Sequence, residues 1–392
     1  MSKKNFIKNN NNLYFSKEIK KIKHNSQFRN LIKSHRYSNS KIFRNGKELI
    51  SFSCNDYLGL SQNKTIISAS IQALKEYGTG AGASRLVSGN HPLYNELENL
   101  ITKFKNVEST CVFGSGFLTN TGVIPAVSSK DDLIIYDELS HASTNLGIKL
   151  SKAKSFKFKH NDVNHVENIC KKHRNRYNSC FILTEGVFSM DGDKANLKEI
   201  SFIAEKFNAS IILDDAHGFG VLGKGRGSQY DLKPIPEIFI QIGTLSKAVG
   251  SYGGFTVSPK IVNKLIHNKA RTLIYTTGLP PSCVAASIAA INIIRSDKNL
   301  VKKPLMNASL FCEKALLAPP QSSIVTLILG TEQKTIKASK LLEKEGFYVG
   351  AIRPPTVPLE TSRLRFTFCA NHKKNDIIKL ANIVKNITKT LL

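Results

Sequence analysis

Cysteine is scarce and not spaced for pairing. Seven cysteines occur in 392 residues (Cys54, Cys111, Cys170, Cys180, Cys283, Cys312 and Cys369), with no C-x-x-C among them. That excludes a disulfide-stapled scaffold, a zinc ribbon and a dithiol redox motif, and the odd count leaves no complete disulfide set. Reduced thiols and a cytoplasmic setting are expected. Long hydrophobic runs are missing too. No apolar stretch approaches about 18 residues, so no membrane span is expected. The polar, lysine-rich start carries no apolar run of signal-peptide length. Acidic residues are few, 29 against 56 basic ones, for a formal net charge of +27. Among the basic residues arginine is the minority, 12 of 56. A phosphate-reading surface favours arginine, whose fork pairs bidentately. The lysine excess, beside the asparagine run Asn9 to Asn12, therefore reads as compositional bias. A basic nucleic-acid-binding protein is the non-enzyme alternative, and no nucleic-acid partner is expected.

Several phosphate and nucleophile motifs are also absent. There is no G-x-x-x-x-G-K-[ST] and no G-x-S-x-G elbow. The glycine cluster Gly78, Gly80 and Gly82 does not follow a strand as G-x-G-x-x-G must. P-loop ATPases, serine esterases and dinucleotide enzymes are disfavoured.

What is present is a globular composition, 41% hydrophobic and 22% charged, in a length suited to two or three structural units. Residues 1–48 read as a basic, weakly patterned N-terminal arm with some helix. From about residue 50, apolar runs of strand length recur at 111–113, 133–136, 180–184, 211–214 and 238–242. Helical spacing separates them: Leu93, Leu97, Leu100, Ile101 and Phe104 after Pro92; Val163, Val166, Ile169 and Cys170; Leu197, Ile200, Ala204 and Phe207. Strands alternating with helices predict a mostly parallel sheet covered on both faces, here a large α/β domain over 49–280. Beyond it, a helix over 282–294, apolar stretches at 325–329, 348–352 and 364–368, and a last helix from about Lys374 predict a smaller α+β domain over 281–392.

Chemistry-bearing residues cluster just after the predicted strands, where open α/β sheets bind ligands. Asp214-Asp215-Ala216-His217-Gly218 follows one strand and Thr244-Leu245-Ser246-Lys247 another. A lysine among Thr, Ser and small residues occupies a poor position for a solvated charge. Together these segments suggest pyridoxal phosphate (PLP), which needs a lysine for its Schiff base and an acid for its pyridine nitrogen. His217 suits the ring's phenolic oxygen. A metal site or capped turn remains the alternative for the acid–histidine cluster, and a buried ion pair for the lysine. Phe113-Gly114-Ser115-Gly116-Phe117-Leu118-Thr119-Asn120 suits a phosphate at a helix N-terminus, or a tight structural turn. His141, after the strand at 133–136, suits stacking on a planar cofactor, or is a turn residue. Thr184 to Gly192 is again a strand end.

Seven segments in order resemble one family: Asn55-Asp56-Tyr57-Leu58-Gly59-Leu60; Ser84-Arg85-Leu86-Val87-Ser88-Gly89; His141-Ala142-Ser143; Thr184 to Gly192; Asp214 to Gly220; Thr244 to Lys247; and Arg353-Pro354-Pro355-Thr356-Val357-Pro358 with Thr361-Ser362-Arg363-Leu364-Arg365. Over roughly 45–385 the chain is similar to the α-oxoamine synthases, PLP enzymes of fold type I. The resemblance implies a seven-stranded-type sheet in the large domain, a cytoplasmic homodimer with shared sites, and no metal. It implies Lys247 as the Schiff-base lysine, Asp214 at the pyridine nitrogen, His217 at the phenolic oxygen and His141 stacked on the ring. Gly116, Phe117 and Thr244 would hold the phosphate, Ser189 would touch the cofactor, and Thr276 or Thr277 would reach a phosphate in the partner. Arg363 would bind the amino-acid carboxylate and Asn55 would face the substrate. Arg353 to Pro358 is most similar to members that condense L-alanine with a pimeloyl thioester of CoA or a carrier protein. Glycine C-acetyltransferase and 5-aminolevulinate synthase types are the alternatives. Tyr94 stands where a histidine is common, Arg36 is near the place of an acyl-binding arginine, and the stretch between Arg295 and Ile352 is short.

Overall fold

The computed structural model describes residues 10–37 and 40–391; residues 1–9 of the expected arm, Asn9 included, lie outside it. The described part of the arm is a helix, α1 (Asn10–His24), followed by three strands, β1 (Ser34–Tyr37), β2 (Lys41–Arg44) and β3 (Lys47–Ser51). Next come α2 (Lys64–Tyr77) and α3 (Pro92–Lys105). Asn63 caps α2 by accepting from the Thr65 and Ile66 amides. Pro92 opens α3, and Asn106 ends it in the left-handed region at φ 54°.

The large sheet is built from β4 (Ser109–Phe113), β5 (Leu133–Asp137), β6 (Lys154–Phe158), β7 (Cys180–Glu185), β8 (Ser210–Asp214), β9 (Ile240–Thr244) and β10 (Gly254–Ser258), in the order β4-β10-β9-β8-β7-β5-β6. All pairs are parallel except the two that β10 makes, with β9 and β4. Interleaved are α4 (Gly116–Val127), α5 (Ala142–Ser151), α6 (Val163–His173) and α7 (Leu197–Lys206). Alternation along the strands serves both faces. Ile134, Leu183, Ile212 and Ile242 pack with Val123, Ile124 and Ile148 of α4 and α5. Leu133, Ile135, Ile182 and Leu213 pack with Val166, Leu197 and Ile200 of α6 and α7. Burial on both faces is why these strands read as continuous apolar runs.

The C-terminal part holds α8 (Lys260–Lys269), α9 (Arg271–Ile274), α10 (Pro281–Ser296), α11 (Lys298–Ala315), β11 (Ile324–Gly330), α12 (Glu332–Lys344), β12 (Phe347–Tyr348), β13 (Gly350–Ile352), β14 (Ser362–Thr367) and α13 (Lys374–Leu391). β14 is the centre of an antiparallel sheet β11-β14-β13, and β12 pairs in parallel with β3 of the N-terminal segment. Phe52, just after β3, packs with Phe347, Phe366 and Phe368. α10 instead packs in the core of the large sheet, where Val284 and Ile291 meet Leu97 and Ile101.

Some elements gave no sequence signal. β6 reads Lys-Ser-Phe-Lys-Phe at the sheet edge, with two lysines. α4 has Pro125 inside it and is buried along most of its length, so it shows no amphipathic period. β9 lies two residues later than the apolar run at 238–242, because Thr244 and Gly243 extend the ladder against β10.

Candidate functional site

The parallel strands end together, and their C-terminal ends carry the chemistry. Lys247 follows β9. Its Nζ lies 2.6 Å from Nε2 of His217, and Nδ1 of His217 lies 2.6 Å from the Tyr57 hydroxyl. Burial pushes the lysine down to about 8 and holds His217 well below the ordinary imidazole range, with the Lys247 and Arg365 charges adding to the effect. A neutral imidazole donates from one nitrogen and accepts at the other, so Tyr57, His217 and Lys247 form one hydrogen-bonded line.

Asp214 ends β8. One of its oxygens accepts from Asn120 Nδ2 at 2.7 Å, and the other accepts from the Ala216 amide at 3.0 Å. The Asn120 amide also donates to Ser143 Oγ at 3.1 Å, and that hydroxyl lies 2.7 Å from Nδ1 of His141. His141 caps α5, and its amide donates to Glu185 at 2.6 Å. Glu185, at the end of β7, is fully buried. Desolvation and the nearby Asp214 charge raise its carboxyl far above the usual range. It accepts as an anchor for the His141 turn.

The other acid of the pair turns away. Asp215 is buried, accepts from the Ser228 amide at 3.0 Å and from Gln241 Nε2 at 2.8 Å, and faces the buried Lys105. Burial moves this pair toward each other, Asp215 up to about 6 and Lys105 down to about 7. A Cβ at Gly186, Gly218 or Gly227 would stand 2.2, 2.1 or 2.0 Å from an Asp215 oxygen. Three glycines therefore enclose this carboxylate, and the enclosure fixes the turn that aims Asp214 and His217.

A cavity of about 220 Å³ is lined by Gly116, Phe117, His141, Ser189, Asp214, His217, Thr244 and Lys247 together with Ser115, Asn120, Ser143, Glu185, Ala216 and Ser246. Every residue expected at the cofactor is thus in one place. Ser115 caps α4 by accepting from the Leu118 amide at 3.1 Å, leaving Gly116 and Phe117 as the first turn of a helix aimed at the cavity. Gly116 lies against Thr244, within ordinary contact distance of where its Cβ would stand, so the helix start and the end of β9 face the same part of the cavity. An amine, a carboxylate, an imidazole and a helix N-terminus around a ring-sized space fit PLP. Among the described residues no cluster suits a metal ion, and no helix is long and apolar enough to cross a membrane.

Asn55 and Arg363 do not line this cavity. Arg363 is buried against Asp191, donates to Met190 O at 3.2 Å and to Thr361 O at 2.9 Å. Two residues on, along the same face of β14, Arg365 donates to Ser189 O at 2.5 Å and to Asn55 Oδ1 at 3.4 Å. Its Nη2 is buried without a protein partner among the described residues. Arg365, Tyr57, Asn120 and Glu185 are site residues that sequence reasoning missed; all four lay inside quoted motifs without being singled out. Thr276 lies near Gly114, and Thr277 bridges Ser84. Arg36 is engaged with Asp56 at 2.9 Å. Tyr94 packs under the Arg85 guanidinium at 4.0 Å and bonds the Leu279 amide.

This fold and site define a class. The chain belongs to the aminotransferase class I and II family, which it matches over residues 47–384. Its fold is PLP-dependent fold type I and its cofactor is pyridoxal 5′-phosphate. Among solved structures it is similar to a serine palmitoyltransferase from Sphingomonas wittichii, at a TM-score of 0.90 and 26% identity over 98% of each chain. It is similar also to 8-amino-7-oxononanoate synthase from Francisella tularensis, at a TM-score of 0.74 and 27% identity over 87% of this chain and 98% of the other. In sequence it is nearer to the curated 8-amino-7-oxononanoate synthase of Beijerinckia indica subsp. indica, 49% identical over 86% of this chain and 88% of the relative. A putative enzyme of that name from Parvibaculum lavamentivorans is 49% identical over 91% and 92%.

Proposed function

We propose that the chain condenses L-alanine with a pimeloyl thioester, releasing CO₂ and the free thiol and giving 8-amino-7-oxononanoate for biotin biosynthesis. The observation that carries this reading is the single cavity joining Lys247, Asp214, His141 and His217, in a chain 49% identical to a curated synthase of that product. When bound, the cofactor supplies an electron sink for the carbanion formed at the amino acid's Cα. Lys247 Nζ would anchor the cofactor and, as a free amine, would be the base for the Cα proton. Its lowered affinity for a proton, about 8 against the usual 10.5, suits both tasks near neutral pH. Asp214, held by Asn120 and Ala216, keeps the ring nitrogen protonated. His217, steered by Tyr57, donates to the phenolic oxygen. His141 would cover the ring face, and Gly116, Phe117 and Thr244 would hold the phosphate, with Ser189 also lining the cofactor's cavity.

The alanine carboxylate goes to Arg365 and Asn55. Arg365 has the free buried donor, whereas the Arg363 fork is taken by Asp191, so Arg363 is a positioning residue that braces β14 against the Ser189–Asp191 turn. The protein is a cytoplasmic homodimer. Leu86, Val87, Phe117 and Tyr275 are exposed around Thr276 and Thr277, and a second copy over this patch brings those threonines to its neighbour's phosphate.

Lys247→Ala is expected to lack the visible absorbance of lysine-bound cofactor and to show no turnover; wild-type activity in that variant sinks the assignment. Alanine, glycine and serine, each tested with pimeloyl, acetyl, succinyl and palmitoyl thioesters, decide the substrate pair. Preference for glycine transfers the chain to the glycine-dependent synthases.

A further inference from the structure

Two thiols meet beside the substrate-facing edge of the site, and nothing in the reaction uses them. Cys54 follows β3 and precedes Asn55; Cys369 lies just past β14, which carries Arg365. The Cys369 Sγ–H donates to the Cys54 carbonyl at 3.5 Å, and both residues line one small cavity. The segments are locked in register on both sides. The Thr367 amide donates to Phe52 O at 2.8 Å, and the Ala370 amide donates to Tyr57 O at 2.7 Å. The Cys54 sulfur also accepts from the Asp56 amide at 3.4 Å and lies near the Arg36 guanidinium.

The pair is reachable from solvent on one side only. Cys54 is part-exposed and Cys369 is buried. Both line a cavity of about 30 Å³ together with Arg36 and Asp56, the space of about one water molecule. Hydrogen bonds and the Arg36 charge lower the Cys54 thiol to about 7, against burial and Asp56 acting the other way. Cys369, buried beside Cys54, is raised well above the ordinary thiol. A part-exposed thiol of lowered proton affinity, with a second thiol on the same small cavity, is the arrangement of a redox-sensitive cysteine. Cys170 and Cys180 share a core cluster between β7 and α6 and are both buried.

We propose that Cys54 is a hydroperoxide-reactive site and that Cys369 resolves it into a Cys54–Cys369 disulfide beneath the Asn55–Arg365 pair. The Cys54 thiolate attacks one peroxide oxygen, the O–O bond breaks, and the departing hydroxide takes a proton to become water. The resulting sulfenic acid loses its oxygen as a second water when the Cys369 sulfur, giving up its proton, forms the S–S bond. The two thiols supply two electrons and one peroxide is consumed. The bond clamps the segments that carry Asn55 and Arg365, so the oxidised enzyme has a raised KM for the amino acid with its cofactor absorbance unchanged.

The experiment treats holoenzyme with one to a few equivalents of hydrogen peroxide, quenches with an alkylating agent, and maps every cysteine by peptide mass spectrometry. A Cys54–Cys369 disulfide forming first, and reversed by dithiothreitol, is expected. Cys369→Ser should divert Cys54 to a dimedone-trapped sulfenic acid, and Cys54→Ser should slow oxidation of Cys369 by at least about tenfold. First oxidation at Cys283 or at the Cys170–Cys180 pair overturns the proposal, as does a Cys54 that never bonds to Cys369. The wild-type map decides the matter even if a variant fails to fold. The disulfide readout is independent of the assigned substrates, so a wrong substrate reading leaves it standing. Only the KM readout rests on the proposed reaction.

Discussion

Two arginines, two residues apart on β14, divide the labour at the substrate end of the site. Side chains at i and i+2 share a strand face, so both Arg363 and Arg365 point toward the large sheet. Arg363 meets Asp191 and is neutralised there. Arg365 keeps a buried donor unpaired, an arrangement that costs stability in the free protein and is relieved by an anionic ligand. Arg365→Ala should raise the KM for alanine by about 10- to 100-fold, the scale of a charge-assisted hydrogen-bond pair. Arg363→Ala should chiefly lower thermal stability. Steady-state kinetics on both variants, with melting curves, check this, and equal KM effects would remove the distinction. The doublet was legible in the sequence, but which arginine stays free was not. That depends on Asp191, which reaches β14 only through the turn after β7.

At the scale of elements, the turn after β8 is held by what lies behind it. Asp215 is enclosed by Gly186, Gly218 and Gly227 and backed by Lys105, from the end of α3. Gly227 has φ +126°, a conformation that L side chains rarely adopt. Gly227→Ala adds that strain to a direct collision with the carboxylate and should cost about 2–4 kcal/mol, measured by urea unfolding. A loss below a few tenths of a kcal/mol would show that the enclosure yields. The junction of β14 with the N-terminal segment has its own titratable lock. His372 lies 3.0 Å from Ser51 O and accepts from the Cys369 amide at 3.0 Å. Burial lowers this imidazole to about 4 against 6.5. The unfolded chain therefore binds a proton that the folded chain refuses, and stability falls as the pH drops from about 6.5 to about 4. The loss approaches about 3 kcal/mol from this group. His372→Gln should flatten the acid limb of the stability profile by close to one proton. An unchanged slope would show that the lock does not titrate.

For the whole molecule, the net charge of +27 is a field rather than a site. The cavity holds one lysine, and most of the surplus lies on exposed surface, where salt screens it. Thioesters of CoA or of an acidic carrier protein are anionic, so the field assists their approach. Raising ionic strength from 0.05 to 0.5 M should therefore raise the KM for the acyl donor roughly threefold and leave that for alanine nearly unchanged. Equal insensitivity of both would leave the charge without a role in docking.

Local patterning alone determined a great deal of this protein. Apolar runs followed by Gly, Ser, Asp, His and Lys announced strands with a ligand at their carboxyl ends, and Lys247, Asp214, His141 and Gly116, each open to a bland reading by itself, stood out because they recur in order after successive strands. Tertiary structure decided what depends on partners distant in the chain. It turned Asp214 into the cavity and Asp215 into a glycine enclosure. It set Tyr57 behind His217, paired β3 with β12, and brought Cys54 against Cys369. Periodicity records which face of an element is buried. It carries no information on which distant side chain arrives at that face, and charge pairing, proton placement and thiol contact are settled there.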